Sequence, residues 1–459
     1  RSFHVTGVQT CALPISQTRA NDLSIQFTDL KAMSSPSTLS EKIIARAAGL
    51  DSVRPGDIVT CQVDLAMMHD SGGPRRVAPV LEQLNVGVWD ANRVVVVSDH
   101  YVPAVDAESA KILDGVRRWC RSHQIENFHD MQGICHIVLQ EHPYLRPGMF
   151  VVGGDSHSPT GGAVGCFMFG VGATDMAAVL ATGETLLQVP ATLSLRWHGQ
   201  LALGVCAKDM MLKACATLGV GGATSCVVEF SGTALESLPH VERMTLCNMT
   251  AELGAQTGII PPDEITEKYL RSIGTVVDEL TNWQSDTDAT FDQIHDFDAS
   301  NLQPLVAAPH SPANTVPVND IEPEKIHQAY IGACTGAKLN DLHMAAAVLR
   351  GHRVAKSVRL LLAPASVQVT SAATADGTLG TLLDAGAILM PSGCGACAGY
   401  GAGVLTEGEV CISSTARNFR GRMGSASSKV YLASPYTVAA AAIAGHITDP
   451  RPFLEAAAL

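Results

Sequence analysis

The chain has 459 residues, 46% hydrophobic and 16% charged, with 41 glycines and a formal net charge of -13. That length suits two or three α/β domains rather than one core, and the acidic balance, with basic residues scattered except at Arg417, Arg420 and Arg422, excludes an electrostatic footprint for nucleic acid. No apolar run approaches the roughly 20 residues that cross a bilayer, so no membrane is expected, and thirteen cysteines, mostly in apolar segments such as ICHIVL and GCFMFG, read as buried thiols or metal ligands in a reducing cytoplasm.

The first sixteen residues, RSFHVTGVQTCALPIS, lack the basic region and continuous apolar core of a signal peptide. Their VTGVQTCALPIS portion resembles the translation of a sequencing-adapter read. Residues 1–32 are therefore set aside as an artefactual or disordered extension, with Met33 as the start and a helix of the Ser-x-x-Glu type beginning at about Ser40.

From 33 to 190, β-branched runs such as NRVVVVSDH and MFVVGGDSH alternate with helical stretches such as ESAKILDGVRRWCRSH, the rhythm of a first α/β domain. Ligands gather outside the carboxyl ends of strands in such sheets, and both runs place their charged residues there. A second α/β domain, 191–283, opens with TLSLRWHG. Residues 284–321, rich in Asp, Pro, Asn and Ser, predict an irregular connection. A third α/β domain, 322–459, opens with HQAYIGACTG, and its TVAAAAIAG predicts a packed helix rather than an anchor.

Four stretches of the first domain concentrate polar chemistry: MMHDSGG with His69 and Asp70, SDHYVP with Asp99 and His100, GICHIVLQE with His136, and GGDSHSPTGG with Asp155, Ser156 and His157. A lone His beside Asp is usually a solvated turn. Its recurrence points instead to buried pairs, in which the carboxylate orients the imidazole and raises its pKa, making it a proton donor to a leaving hydroxyl. DSH lacks the Gly-x-Ser-x-Gly elbow of a serine hydrolase. In CNMTAELGA, Asn248 and Glu252 share a face if helical, the plainer reading being a capping Asn at a helix N-terminus. Arg417 and Arg422 in STARNFRGRMG form a guanidinium pair suited to a di- or tricarboxylate, or else a surface basic turn.

Cys334 in GACTG follows a strand-like run, and Cys394 and Cys397 in SGCGACAG follow AILMP, so both groups fit the edge of one sheet. The glycines around the Cys-x-x-Cys allow the backbone to wrap closely and aim amides at sulfur. A redox pair and half a zinc site remain open beside an iron-sulfur cluster. No second Cys-x-x-Cys or neighbouring His pair completes a zinc set, whereas three thiolates leave one iron of a 4Fe-4S cluster open.

Taken in chain order, DH, CHIVLQE, GGDSHSPTGG, NMTAELGA, GACT, the Cys-x-x-Cys glycine loop and RNFRGR resemble the aconitase superfamily, above all the large subunits of the isopropylmalate dehydratase and homoaconitase type. The likeness runs from Met33 to Leu459. It implies a three-domain α/β/α architecture without the family's swivelling fourth domain, and a hydro-lyase that reversibly dehydrates a hydroxy di- or tricarboxylic acid. Cys334, Cys394 and Cys397 would ligate a 4Fe-4S cluster with one iron not held by protein. His100, paired with Asp99, would protonate the departing hydroxyl. His136, Asp155 and His157 would order the water at that iron, with Glu252 bonded to it. Arg417 and Arg422, with Ser156 and Asn248, would bind substrate.

Family members commonly carry Asn where this chain has Gly336, and Asn before the arginine where it has Ala416. The fourth domain normally supplies a serine base and another arginine, so a separate small subunit is expected as partner. Aconitate, homoaconitate and dimethylmalate are alternative substrates. An iron-responsive RNA-binding protein and a zinc-stabilised structural subunit are the readings from other classes.

Overall fold

A computed structural model describes residues 36–277 and 280–457. The extension at 1–32 and the start at Met33 lie outside the described residues. The first helix, Leu39–Ala48, is capped by Thr38 rather than by Ser40: Glu41 N–H donates to Thr38 Oγ1, and the Glu41 carboxylate accepts from Thr38 N–H at 2.7 Å. This is a reciprocal capping box.

The first sheet has five parallel strands in the order Phe128–Asp130, Val94–Ser98, Leu65–His69, Phe150–Gly153, Phe167–Gly170. Val94–Ser98 and Leu65–His69 are buried along their whole length, which is why they read as continuous apolar runs rather than alternating ones. Helix Ala107–Ser122, capped by the Asp106 side chain, covers the expected helical stretch. An antiparallel ribbon, Ile58–Gln62 with Glu184–Gln188, flanks this sheet.

The second sheet, Thr257–Ile259, Val227–Ser231, Thr192–His198, Gln293–Asp298, is parallel throughout. The third runs Thr315–Pro317, Leu305–Ala307, Lys429–Ala433, Val410–Ser413, Gln328–Ile331, Arg359–Leu362, Ile388–Leu389, with a parallel core and two antiparallel strands at one side.

Residues 284–321, expected to be irregular, thus contribute one strand to the second sheet and two to the third. Gln293–Asp298 is an edge strand with mostly exposed side chains, so its polar composition resembles that of a loop. TVAAAAIAG forms the helix Pro435–Ala444, capped by Ser434. Its buried alanines let it pack closely on helix Leu339–Leu349. Among the described residues no helix is long and apolar enough to cross a membrane.

Candidate active site at the ends of two sheets

The three central strands of the first sheet deliver their polar residues together. Leu65–His69 ends in His69 and runs into Asp70, Val94–Ser98 runs into Asp99 and His100, and Phe150–Gly153 runs into Asp155, Ser156 and His157. Asp70 is fully buried and fixes the second of these loops. Its Oδ1 accepts from the backbone N–H of Asp99 (3.3 Å) and His100 (3.0 Å), and its Oδ2 from that of Tyr101 (2.8 Å).

Asp99 Oδ1 lies 2.6 Å from His100 Nδ1, while Asp99 Oδ2 accepts from the Cys135 N–H at 2.8 Å. Burial works against a charged imidazole at His100, but the Asp99 carboxylate, its hydrogen bond, and the charges of Asp155 and Asp70 outweigh it and raise the pKa to about 9. His69 stacks on the His100 ring with centroids 4.3 Å apart, and its Nε2 lies 2.9 Å from the Gly154 carbonyl. Burial, then the neighbouring His100, lowers the His69 pKa. The pair therefore holds one charged ring and one neutral ring, the neutral one donating to Gly154 through Nε2.

Asp155 is the hub of the cluster. Its Oδ1 accepts from His136 Nε2 (3.0 Å) and from the His157 N–H (2.8 Å). Its Oδ2 faces His69 Nε2 at 3.9 Å and His100 Nε2 at 3.8 Å. Burial resists ionisation, yet the hydrogen bonds from His136 and His157 hold the carboxyl well below the usual range. His157 Nε2 then reaches Glu252 Oε1 (3.1 Å), which also accepts from Arg417 Nε (2.8 Å), and Arg417 Nη1 donates to Ser156 Oγ (3.0 Å). A continuous chain of polar contacts thus links the first sheet to the third.

Asn248 ends helix His240–Asn248 and stands at the N-cap position of the short 3-10 turn Met249–Leu253, which carries Glu252, but its side chain does not cap that turn. Asn248 Nδ2 donates to Thr160 Oγ1 (2.7 Å) and to Cys334 Sγ (3.1 Å), leaving its buried Oδ1 without a partner. The buried Nε of Arg422 is likewise unpartnered.

The cysteine loops leave the carboxyl ends of strands in the third sheet, Cys334 after Gln328–Ile331 and the Cys394 loop after Ile388–Leu389. Cys394 N–H donates to the Asp99 carbonyl (2.8 Å), and its Sγ lies 3.8 Å from Asp99 Oδ2, so the glycine loop is seated against the His100 loop. All three thiols are free. Burial, then the Cys397 thiol, pushes Cys334 up to about 12. Burial likewise raises Cys394, followed by Asp99, Asp155, Cys397 and Cys334. At Cys397, burial is opposed by Arg422, Arg417 and Lys208.

Three buried thiols that would repel one another once ionised, beside two unpartnered polar atoms and nearby cations, fit a thiolate-held metal group, because ligation supplies the positive charge that makes thiolates stable there. Among the described residues, the sets whose ligand atoms fall within 4.8 Å of one another are His69, Asp70, Asp99, His100 and His136, Asp155, His157.

The site opens into a cavity of about 1060 Å³ bordered by Asp155, Ser156, Arg417, Gly172 and the strand Glu184–Gln188. Gly336 packs against Ser414 so closely that an added Cβ would lie 2.2 Å from Ser414 Oγ, and Ala416 is buried.

Two residues escaped the sequence reading. Lys338, buried, pairs with Asp341 (2.7 Å), donates to Thr245 Oγ1 and lies 3.4 Å from the Cys334 carbonyl. Lys208, equally buried, donates to the carbonyls of Ser414 and Thr415. Lys208 had one signal, a cation in a helix's first turn, where the dipole disfavours it.

These features define a chain of parallel α/β sheets whose strand ends gather a charged histidine, a carboxylate hub, guanidinium groups and three free thiols. Residues 41–445 match the Aconitase family (aconitate hydratase), and the chain belongs to that family. It is 45% identical to the 3-isopropylmalate dehydratase large subunit 1 of Methanopyrus kandleri, over 91% of this chain and 99% of that one. It is 43% identical to the probable methanogen homoaconitase large subunit of Methanothermobacter thermautotrophicus, over 90% and 97%. The 3-isopropylmalate dehydratase large subunit 2 of Rubrobacter xylanophilus is 42% identical, over 90% and 98%.

Proposed function

We propose that the chain is the large, cluster-holding subunit of a hydro-lyase that reversibly dehydrates and rehydrates a hydroxy di- or tricarboxylic acid. A 3-isopropylmalate-type substrate is the first choice, with aconitate, homoaconitate or dimethylmalate as alternatives. The observation that carries the reading is the convergence of the Asp99–His100 pair, the Asp155 hub, the Glu252–Arg417–Ser156 chain and the three thiols at neighbouring strand ends.

Cys334, Cys394 and Cys397 would hold a 4Fe-4S cluster, which when bound supplies a Lewis-acid iron free of protein ligands. His100 holds its proton at Nε2, the nitrogen turned toward Asp155, and delivers it to the departing hydroxyl. Asp99 fixes the ring through Nδ1 and keeps it charged until that transfer. His136, Asp155 and His157 order the water that leaves and returns, and Glu252 bonds to it. Arg417 and Arg422 bind the substrate carboxylates and spread the negative charge that develops on carbon. The Ser156 hydroxyl assists, and Asn248 holds the Cys334 thiol in place.

In this reading the three sheets are the cores of three α/β domains meeting at the cleft. The base for the carbon-bound proton comes from a small subunit carrying the swivelling domain, which the relatives' names as large subunits support. The twelve described cysteines are all free, which supports a reducing, cytoplasmic setting.

The test is to purify the chain without oxygen, reduce it, and record its electron paramagnetic resonance spectrum with and without each acid. A cluster signal perturbed by one acid is the expected result. Stoichiometric zinc and no iron would remove the hydro-lyase reading.

A further inference from the structure

Lys208 is buried without an anion. It lies in helix Ala207–Leu218, is 1% exposed, and donates to the main-chain carbonyls of Ser414 (3.0 Å) and Thr415, with Thr335 Oγ1 at 3.4 Å. Lys338, the other buried lysine of this region, has Asp341 at 2.7 Å. No carboxylate pairs with Lys208 among the described residues. Burial lowers its pKa to about 8, opposed by the thiols of Cys206, Cys334 and Cys397, which would favour the charged amine if ionised. A buried ammonium facing only neutral dipoles is costly, and it is retained where an anion completes the pairing. The thiols of Cys334 and Cys397 become that anion when they ligate a metal group.

The contacts of Lys208 also reach across elements. Thr335 follows Cys334, and Ser414 and Thr415 lead into Arg417, so one ammonium from helix Ala207–Leu218 ties the cysteine loop to the arginine loop. Thr335 Oγ1 itself donates to the Ser414 carbonyl at 3.0 Å, which closes the junction.

We propose that Lys208 is the counter-charge of the thiolate-held cluster and the positioning residue that fixes the Cys334 loop against the Arg417 loop. This rests on the cluster reading given above. Reduction of a cluster adds negative charge, so a fixed cation beside its thiolates raises the reduction potential and strengthens retention. The ammonium touches neither substrate nor reacting atoms and acts through the ligands it faces.

The experiment uses the full chain and two neutral variants, Lys208→Met and Lys208→Gln, each reconstituted without oxygen. Three quantities are read: the cluster's midpoint potential, its retention against a chelator, and Tm with and without the cluster. Both variants are expected to show a more negative potential and retention weakened about 10- to 100-fold. The Tm difference between loaded and cluster-free forms is expected to narrow, because bound cluster then stabilises the chain less.

Wild-type potential and retention in both variants would overturn the proposal. So would an equal Tm loss in both forms, or failure of both cluster-free variants to fold, since either result makes Lys208 a structural staple alone. A wild-type chain that takes up no iron-sulfur cluster would instead remove the underlying reading of the site, and the proposal with it.

Discussion

His100 owes its character to its neighbours. Burial alone would leave it neutral, but with Asp99, Asp155 and Asp70 around it the imidazolium persists up to about pH 9. Its folded pKa is raised, so the proton donor is fully present at low pH and is lost as pH rises through that value. Turnover of the reconstituted enzyme is expected to fall along a limb near pH 9, and Asp99→Asn should move that limb toward lower pH. A limb that stays in place in the variant would count against the assigned acid.

Asp70 positions the same residue from below. Replacing it with Ala removes the acceptor for three successive N–H groups, and a small displacement of His100 then costs about 100-fold in kcat while KM and cluster content stay close to wild type. Steady-state kinetics with an iron assay checks this. At this scale the sequence displayed the residues but not their partners. The recurrence of His beside Asp signalled buried pairs, whereas Lys208 gave no comparable sign because its partners lie in loops more than a hundred residues away.

Elements were legible where their own chemistry decided them. The valine run of Val94–Ser98 and the alanines of Pro435–Ala444 declared their strand and helix, since burial on both faces leaves no polar alternation to misread. Gln293–Asp298 was missed because an edge strand with exposed side chains has the composition of a loop. The first helix begins at Leu39, close to the expected start, but its cap is Thr38, because Thr38 and Glu41 stand at capping-box spacing and Ser40 does not. Thr38→Ala is expected to destabilise the chain by about 1 kcal/mol, measured as a shift in the denaturant midpoint at constant m-value.

The whole molecule brings together chemistry that the sequence scatters. Sequence order separates Asp99 from Cys394 by almost three hundred residues, yet the cysteine loop hydrogen-bonds to the Asp99 carbonyl. Nothing local announced that contact. The order of motifs along the chain did, through its resemblance to a family in which they meet. The proposed division of labour between two subunits makes a prediction at this scale. The large chain alone, carrying an intact cluster, should bind substrate with a perturbed electron paramagnetic resonance signal yet turn over far more slowly than with a small subunit added. Full-rate turnover by the large chain alone would exclude the partner.

Ser414 fills the volume that a side chain at Gly336 would enter, accepting from Gly332 N–H and donating to the Gly336 carbonyl. The two positions are therefore not free to vary independently. Gly336→Asn by itself meets the Ser414 side chain and backbone, whereas the same change after Ser414→Gly meets less. The Ser414 carbonyl oxygen would still lie 2.6 Å from the first carbon of that side chain, so admitting Asn at 336 takes a shift of the backbone at 414 as well as loss of its hydroxymethyl group.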